Sequence, residues 1–410
     1  MLQRIALLYR EAYRGLPRDV WLLAAVAFII RSGTMVLPFL ALYLTTERGL
    51  SAGRAGLLLS LYGVGAAAGT LGGGWLSDRF DPNKLQVASL LAATCGLAGL
   101  GALRSEAALA AALLALGAVA EAFRPANSTA LAAACRPEQR LRAFALRRLA
   151  LNLGMTFGPA IGGFLALRDY RLLFAVDAAT CALATAPLFV LLRRPAAAAI
   201  ADAGGRAGAP SAPGFAPGAS SPWRDGPFLA LMGLVTLLAL VLFQIWGTYA
   251  LSLRELYRLS EDRIGLLFAV NTLIIVAVEM ALVTALARRD PLRVAAAGAL
   301  LLCAGLGLTP LGTGFAFAAF AVVVWTLGEM LAIPLTEGIV ANRAGAGASG
   351  RYMGVFAATF SIAFVAAPAL GTAVYERFGP GAVWAGTAAA GPLLAAGYLA
   401  LAPRFRAAAS

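Results

Sequence analysis

Gly158-Pro159-Ala160-Ile161-Gly162-Gly163, at residues 158–163, returns at residues 367–372 as Ala367-Pro368-Ala369-Leu370-Gly371-Thr372. The two stretches stand 209 residues apart, and the same offset pairs Pro125 with Pro334 and Arg142 with Arg351. In a chain of 410 residues with 45 glycines, Gly and Ala matches alone would carry little weight. Prolines and an arginine that recur at one offset point to an internal duplication.

Each copy lies inside a long apolar run. A membrane helix needs about 20 mostly apolar residues. On that rule the chain contains twelve such runs, near 19–44, 53–76, 85–103, 107–134, 142–167, 171–193, 226–252, 263–286, 292–311, 314–340, 351–375 and 381–402. Between the sixth and seventh, residues 194–224 form an Ala/Gly/Pro/Ser tract too poor in large apolar residues to fold alone, which reads as a flexible linker. The chain therefore divides into a six-helix half at 19–193 and a second at 225–410. Residues 1–18 place Arg4, Arg10, Arg14 and Arg18 among Leu2, Ile5, Leu8 and Tyr9, an amphipathic segment suited to a lipid interface. No small-residue cleavage site precedes the first span, which reads as an uncleaved anchor.

Composition agrees. Hydrophobic residues make up 60% and charged residues 13%, against about 45–50% and about 25% in soluble domains, so a water-soluble enzyme is excluded. The absence of histidine removes His metal sites, Ser-His-Asp triads and His proton relays. Cys95, Cys135, Cys181 and Cys303 lack metal-ligand spacing and read as small apolar residues. No metal site and no catalytic residue is expected. Lys84 is the sole lysine, which with the alanine excess is associated with GC-rich bacterial genomes.

The net charge of +13 is a topology signal rather than a nucleic-acid footprint. With the N-terminus in the cytoplasm, and charges at span ends counted with the segments they adjoin, the inner segments carry a net +14 and the outer ones +2. The positive-inside rule fixes that orientation, and an even number of spans returns the C-terminus to the cytoplasm. The expected fold class is an all-α integral membrane protein with twelve transmembrane helices in two pseudo-symmetric halves.

Two motifs carry a resemblance. The inner loop after the second span reads Gly74-Trp75-Leu76-Ser77-Asp78-Arg79-Phe80-Asp81-Pro82-Asn83-Lys84. It resembles the cytoplasmic loop signature of the major facilitator superfamily, keeping Gly74, Leu76, Asp78, Arg79 and Lys84 and departing at Asp81 and Pro82. The resemblance implies a gate, with Asp78 near the inner end of the eleventh helix, able to bond helix amides there. In the fifth span, Gly154-Met155-Thr156-Phe157-Gly158-Pro159-Ala160-Ile161-Gly162-Gly163 fits G-x-x-x-G-P-x-x-G-G throughout. It is similar to the motif of the antiporter branches, closest to the bacterial drug:proton antiporter group. Gly154, Gly158 and Gly162 form a flat face for tight helix packing, Gly163 adjoins it, and Pro159 permits a kink.

Charges inside apolar spans cost about 2.5 kcal/mol or more at mid-bilayer, so each is a functional candidate. They are Arg31 in the first span, Glu121 and Arg124 in the fourth, Asp177 in the sixth, Glu279 in the eighth, and Glu329 and Glu337 in the tenth. In the superfamily plan the first, fourth, seventh and tenth helices line the cavity. That plan implies a substrate cavity lined by Arg31, Arg124, Gln244, Trp246, Thr248, Tyr249, Thr336 and Glu337. Proton-coupling candidates are Glu329 first, then Glu121, Glu279 and Asp177. Glu121 and Arg124, three apart, share a helix face and can also simply neutralise each other. Glu329 can alternatively form a permanent ion pair with Arg31. Glu279 is a silent acid or a second proton site, and Asn152 and Asn271 read as interhelical hydrogen-bond formers.

The expected function is a monomeric secondary transporter of the bacterial inner (plasma) membrane. It exports a small amphipathic or drug-like solute in exchange for protons, by rocking two halves about a mid-membrane site. Its partners are that solute, protons and the lipid bilayer. It needs no cofactor beyond the proton gradient and binds no nucleic acid. The rival readings are uptake or facilitated diffusion of a nutrient or metabolite, and a lipid flippase of the same fold. No nucleotide-binding G-x-x-x-x-G-K-[ST] is present.

Overall fold

A computed structural model describes residues 15–193, 221–286, 289–343 and 349–407. Most of the expected amphipathic segment, through residue 14, and most of the expected linker, from 194 to 220, lie outside the described residues. The described chain is all helix and turn: α1 (Arg18–Gly33), α2 (Val36–Leu42), α3 (Ala52–Ser77), α4 (Pro82–Leu100), α5 (Glu106–Ala133), α6 (Arg140–Ala166) and α7 (Tyr170–Leu192). Then come α8 (Gly226–Leu242), α9 (Gln244–Gly247), α10 (Tyr249–Tyr257), α11 (Glu261–Leu286), α12 (Pro291–Gly307), α13 (Gly314–Arg343), α14 (Ser349–Phe378) and α15 (Pro380–Ala407).

Among the described residues, 10 spans are long and apolar enough to cross a membrane. The α4 and α11 helices stand where the third and eighth spans are expected and are not among those 10. The first turns of α4 are given to Asn83, Lys84 and Gln86, which lowers its hydropathy.

The duplication extends to the elements. Shifted by 209 residues, the bounds of α3 fall on those of α11, and the start of α4 falls on that of α12. Asp81 caps α4 through the amides of Asn83 (2.7 Å) and Lys84 (3.3 Å). Asp290 caps α12 in the same way through Leu292 (3.0 Å) and Arg293 (3.3 Å). Proline follows each aspartate at the first helical position, where no amide is needed. Thus Asp81-Pro82, where the inner loop departs from the superfamily signature, is a helix start repeated in this chain.

Two expected spans are broken rather than continuous. The first divides between α1 and α2 at Thr34 and Met35. Pro38 lacks the amide that would bond the Thr34 carbonyl, which disfavours an unbroken helix there. The seventh is interrupted at Phe243 and again at Thr248, leaving the short α9 between α8 and α10.

Contacts group the chain into two compact units, Met1–Val36 with Val64–Pro210, and Leu37–Gly63 with Ser211–Ser410. The core of the first includes Val20, Leu23, Leu90, Phe123, Leu131 and Leu188. That of the second is built on Tyr249, Trp325, Tyr352, Trp384 and Tyr398. In the second unit, three helix ends meet at a charged knot. The Arg343 guanidinium donates to both oxygens of Asp225 (2.6 and 2.7 Å), which also accept from Tyr352 (3.2 Å) and from the Phe228 amide (3.1 Å). Burial pushes the Asp225 carboxyl up, but the bonds from Arg343, Phe228 and Tyr352 outweigh it and hold it below the ordinary carboxylate value.

Candidate functional site

In the first unit, α6 lays its small residues against α1. A methyl group at Gly154 would meet the Arg31 Cβ and the Phe28 carbonyl at 2.7 Å, and one at Gly158 would meet the Arg31 carbonyl at 2.9 Å. At Gly162 it would meet the Met35 Cβ at 3.0 Å. The motif is therefore a built contact face, and it brings α6 against Arg31 in the last turn of α1. Pro159 lies within α6, and Gly163 is buried beside Gly162.

Asp177 sits buried on α7 at the break between α1 and α2, where its carboxylate accepts the amides of Met35 and Val36. The Val36 amide begins α2, where no earlier turn supplies an acceptor, and the Met35 amide also donates to the Gly33 carbonyl at 2.6 Å. Asp177 is thereby tied to the backbone of the first span.

On α5, Arg124 and Glu121 pair at 3.2 Å, with 63% of the arginine side chain accessible and 19% of the glutamate. Beside them Arg147 of α6 donates to the Ser128 hydroxyl at 2.7 Å. Arg147 is not among the site residues expected from the sequence. Its place eight residues into α6, inside the fifth apolar run, was the available signal. A second missed pair is Asn127 with Gln86 of α4, buried and bonded at 3.0 Å. At the end of α3, Asp78 is exposed, and Arg79 stacks 3.8 Å from the centre of the Trp75 ring. Gly74 precedes this turn, and Lys84 lies in the first turn of α4.

In the second unit, Glu329 of α13 accepts from the Asn271 amide of α11 at 3.1 Å. The other bond from that amide goes to the Thr326 hydroxyl at 3.0 Å, and Thr326 donates in turn to the Val322 carbonyl. Asn271 thus holds the carboxylate with a neutral donor, and no Lys or Arg among the described residues of this unit pairs with Glu329. Glu279 is buried two turns along α11 and acts electrostatically on Glu329.

The seventh-span residues turn inward more than the cavity expectation implied. Gln244 is buried and donates to the Ala367 carbonyl of α14 at 3.1 Å. Its own carbonyl oxygen accepts from Thr248 (3.1 Å). Tyr249 packs edge-on against Phe268, Trp325 and Trp384, and Trp246 stacks on Phe268 with ring centres 6.1 Å apart. Gln244, Thr248 and Tyr249 are therefore committed within this unit, and half-buried Trp246 remains partly open. Thr336 and Glu337 part company on α13: the threonine is buried and bonds its own helix, the glutamate is exposed.

The sequence model of the Major Facilitator Superfamily matches residues 20–368. An uncharacterized MFS-type transporter of Bacillus subtilis, YqjV, is 24% identical over 85% of this chain and 84% of its own length. The multidrug resistance protein MdtH of Aeromonas salmonicida is 25% identical over 84% of each chain. Among solved structures, a peptide transporter POT in complex with alafosfalin superposes with a TM-score of 0.76, at 19% identity over 95% of both chains. A nucleoside transporter, NupG, gives 0.75 at 12% identity over 93% of this chain and 98% of its own. This family consists of membrane transporters, not enzymes, and the chain, with its multi-pass helical fold, belongs to the major facilitator superfamily.

Proposed function

We propose that this protein is a proton-coupled exporter of a small amphipathic solute. It would cross the bacterial plasma membrane twelve times, with both termini in the cytoplasm, and work by alternating access. The observation that carries the coupling is the Glu329–Asn271 bond. A carboxylate in an apolar span held by an amide, rather than by a cation, changes the net charge of its surroundings each time it gains or loses a proton. A cation partner would keep it ionised and remove it from the cycle. Proton binding discharges the site, lowers the cost of enclosing it, and so biases which face the cavity opens to. Export is supported by the G-x-x-x-G-P-x-x-G-G face on α6 and by relatives named as multidrug resistance proteins.

The test is transport in proteoliposomes with an imposed proton gradient, across a panel of amphipathic solutes. Glu329→Gln copies the shape of the protonated acid. It is expected to abolish uphill export and to leave downhill exchange within about twofold of the parent. Uphill export at the parental rate by Glu329→Gln would remove Glu329 from the coupling.

A further inference from the structure

One group of charges in the first unit lies apart from the Glu329–Asn271 bond on which the proposed coupling rests. Ser128, one turn beyond Arg124, donates its hydroxyl to the Arg124 carbonyl (3.0 Å) and accepts from Arg147 Nη1 (2.7 Å). Arg147 Nε is buried and has no hydrogen-bond partner among the described residues. The two guanidinium groups are close enough for Arg124 to act electrostatically on Arg147. Glu121 is the carboxylate bonded to the cluster, through Arg124 at 3.2 Å.

Two arginines and one glutamate leave a net positive charge. A guanidinium stays protonated in proteins, so the excess cannot be relieved by giving up a proton. It can be relieved by an anion. Arg124 is open to one, with 63% of its side chain accessible. The Nε edge of Arg147 has no acceptor, so turning that edge toward an anion breaks no bond there. The forked donors of both residues match the paired oxygens of a carboxylate, phosphate or sulfonate.

We infer that Arg124, Arg147 and Ser128 form an anion site, and that the transported solute carries a carboxylate, phosphate or sulfonate on an apolar body. This assignment rests on the reading of the protein as a solute exporter. It disfavours purely cationic amphiphiles, which the net positive cluster repels.

Two fluorescent probes that share one ring system test it: dansylglycine, which carries a carboxylate, and dansylamide, which is neutral. Binding to the purified full chain in phosphatidylcholine nanodiscs is read from dansyl emission. Dansylglycine should bind at least tenfold more tightly than dansylamide. Arg147→Gln and Arg124→Gln should erase that preference, bringing the two probes to affinities within about twofold of each other. Arg147→Lys, which keeps the charge and loses the fork, should fall between. Equal affinities for both probes in the parent would overturn the site, and so would an unchanged preference in Arg147→Gln. If Arg147→Gln does not fold, the parental probe pair and Arg147→Lys decide in the same way. Loss of dansylglycine binding in phosphatidylglycerol nanodiscs would overturn the solute assignment and give the site to a lipid headgroup. Proton-driven export of dansylamide without any arginine-dependent preference would overturn the anion site and leave the exporter reading intact. Arginine-dependent dansylglycine binding without gradient-driven transport would support the anion site and overturn the exporter reading.

Discussion

Arg124 and Glu121 meet across one turn of α5, but the arginine is largely accessible, so the pair is open to screening. Exposed pairs at this spacing contribute below about 1 kcal/mol. A double-mutant cycle on thermal stability with Glu121→Gln and Arg124→Met should therefore give a coupling energy below about 1 kcal/mol. A coupling of about 3 kcal/mol would instead describe a desolvated pair. The spacing of these two residues made the pair legible in the sequence, because three positions on a helix bring side chains together. The partner of Glu329 was not legible. Asn271 stands 58 residues away on another helix, and only packing decides which of several mid-span amides it bonds. Asp177 was visible as a charge in an apolar run, yet its role at the α1–α2 break depends on backbone amides that no side-chain pattern marks.

At the scale of elements, the α6 face makes a graded prediction. An added methyl at Gly154 meets backbone as well as Cβ atoms at 2.7 Å, so two helix backbones must part; at Gly162 the nearest atom is the Met35 Cβ at 3.0 Å, with Leu173 and Met35 side-chain carbons at 3.4 Å, so a smaller shift makes room. Overpacking of this kind costs about 1–3 kcal/mol. Gly154→Ala should lower Tm most, Gly158→Ala less and Gly162→Ala least, measured by scanning fluorimetry in detergent. Equal losses at all three would deny the close approach of α6 and α1. The Asp225–Arg343 knot makes another. Folding lowers the Asp225 carboxyl below its unfolded value of about 3.9, so the knot contributes fully above that pH and is lost as the pH falls through the folded value. Asn still caps a helix, so Asp225→Asn removes mainly the charge. Its Tm deficit against the parent should be constant from pH 8 to about pH 5 and should close below about pH 4. A deficit that persists unchanged at pH 3 would assign the stabilisation to the shape of the cap. The G-x-x-x-G-P-x-x-G-G face was readable because small residues at a spacing of four leave one flat helix side. The broken spans were not, since an apolar run looks the same whether its helix is continuous or interrupted.

For the whole molecule, the duplication, the helical class and the family were carried by long patterns: repeated prolines, apolar runs and the loop signature. The number of crossings is the finer question, and it turns on α4 and α11. These two stand where the third and eighth spans are expected, and lie outside the 10 helices long and apolar enough to cross a membrane among the described residues. Charge argues that both cross. With twelve spans the inner segments hold a net +14 and the outer ones +2, whereas a missing crossing would place inner-type arginines outside. Single cysteines in a cysteine-free background can decide this with a membrane-impermeant maleimide on intact cells. Ala102, exposed after α4, should label from outside as Ala102→Cys, while Lys84→Cys at its start should label only after permeabilisation. Around α11, Ser260→Cys should label from outside and Arg289→Cys only after permeabilisation. If Ala102 and Lys84 positions label from the same side, α4 does not cross; the same outcome for Ser260 and Arg289 removes the crossing of α11. A non-crossing α4 would reverse the side on which every later loop lies, the Asp225–Arg343 knot included, whereas a non-crossing α11 would put Asp225 and Arg343 on opposite faces, against the 2.6 Å bond between them.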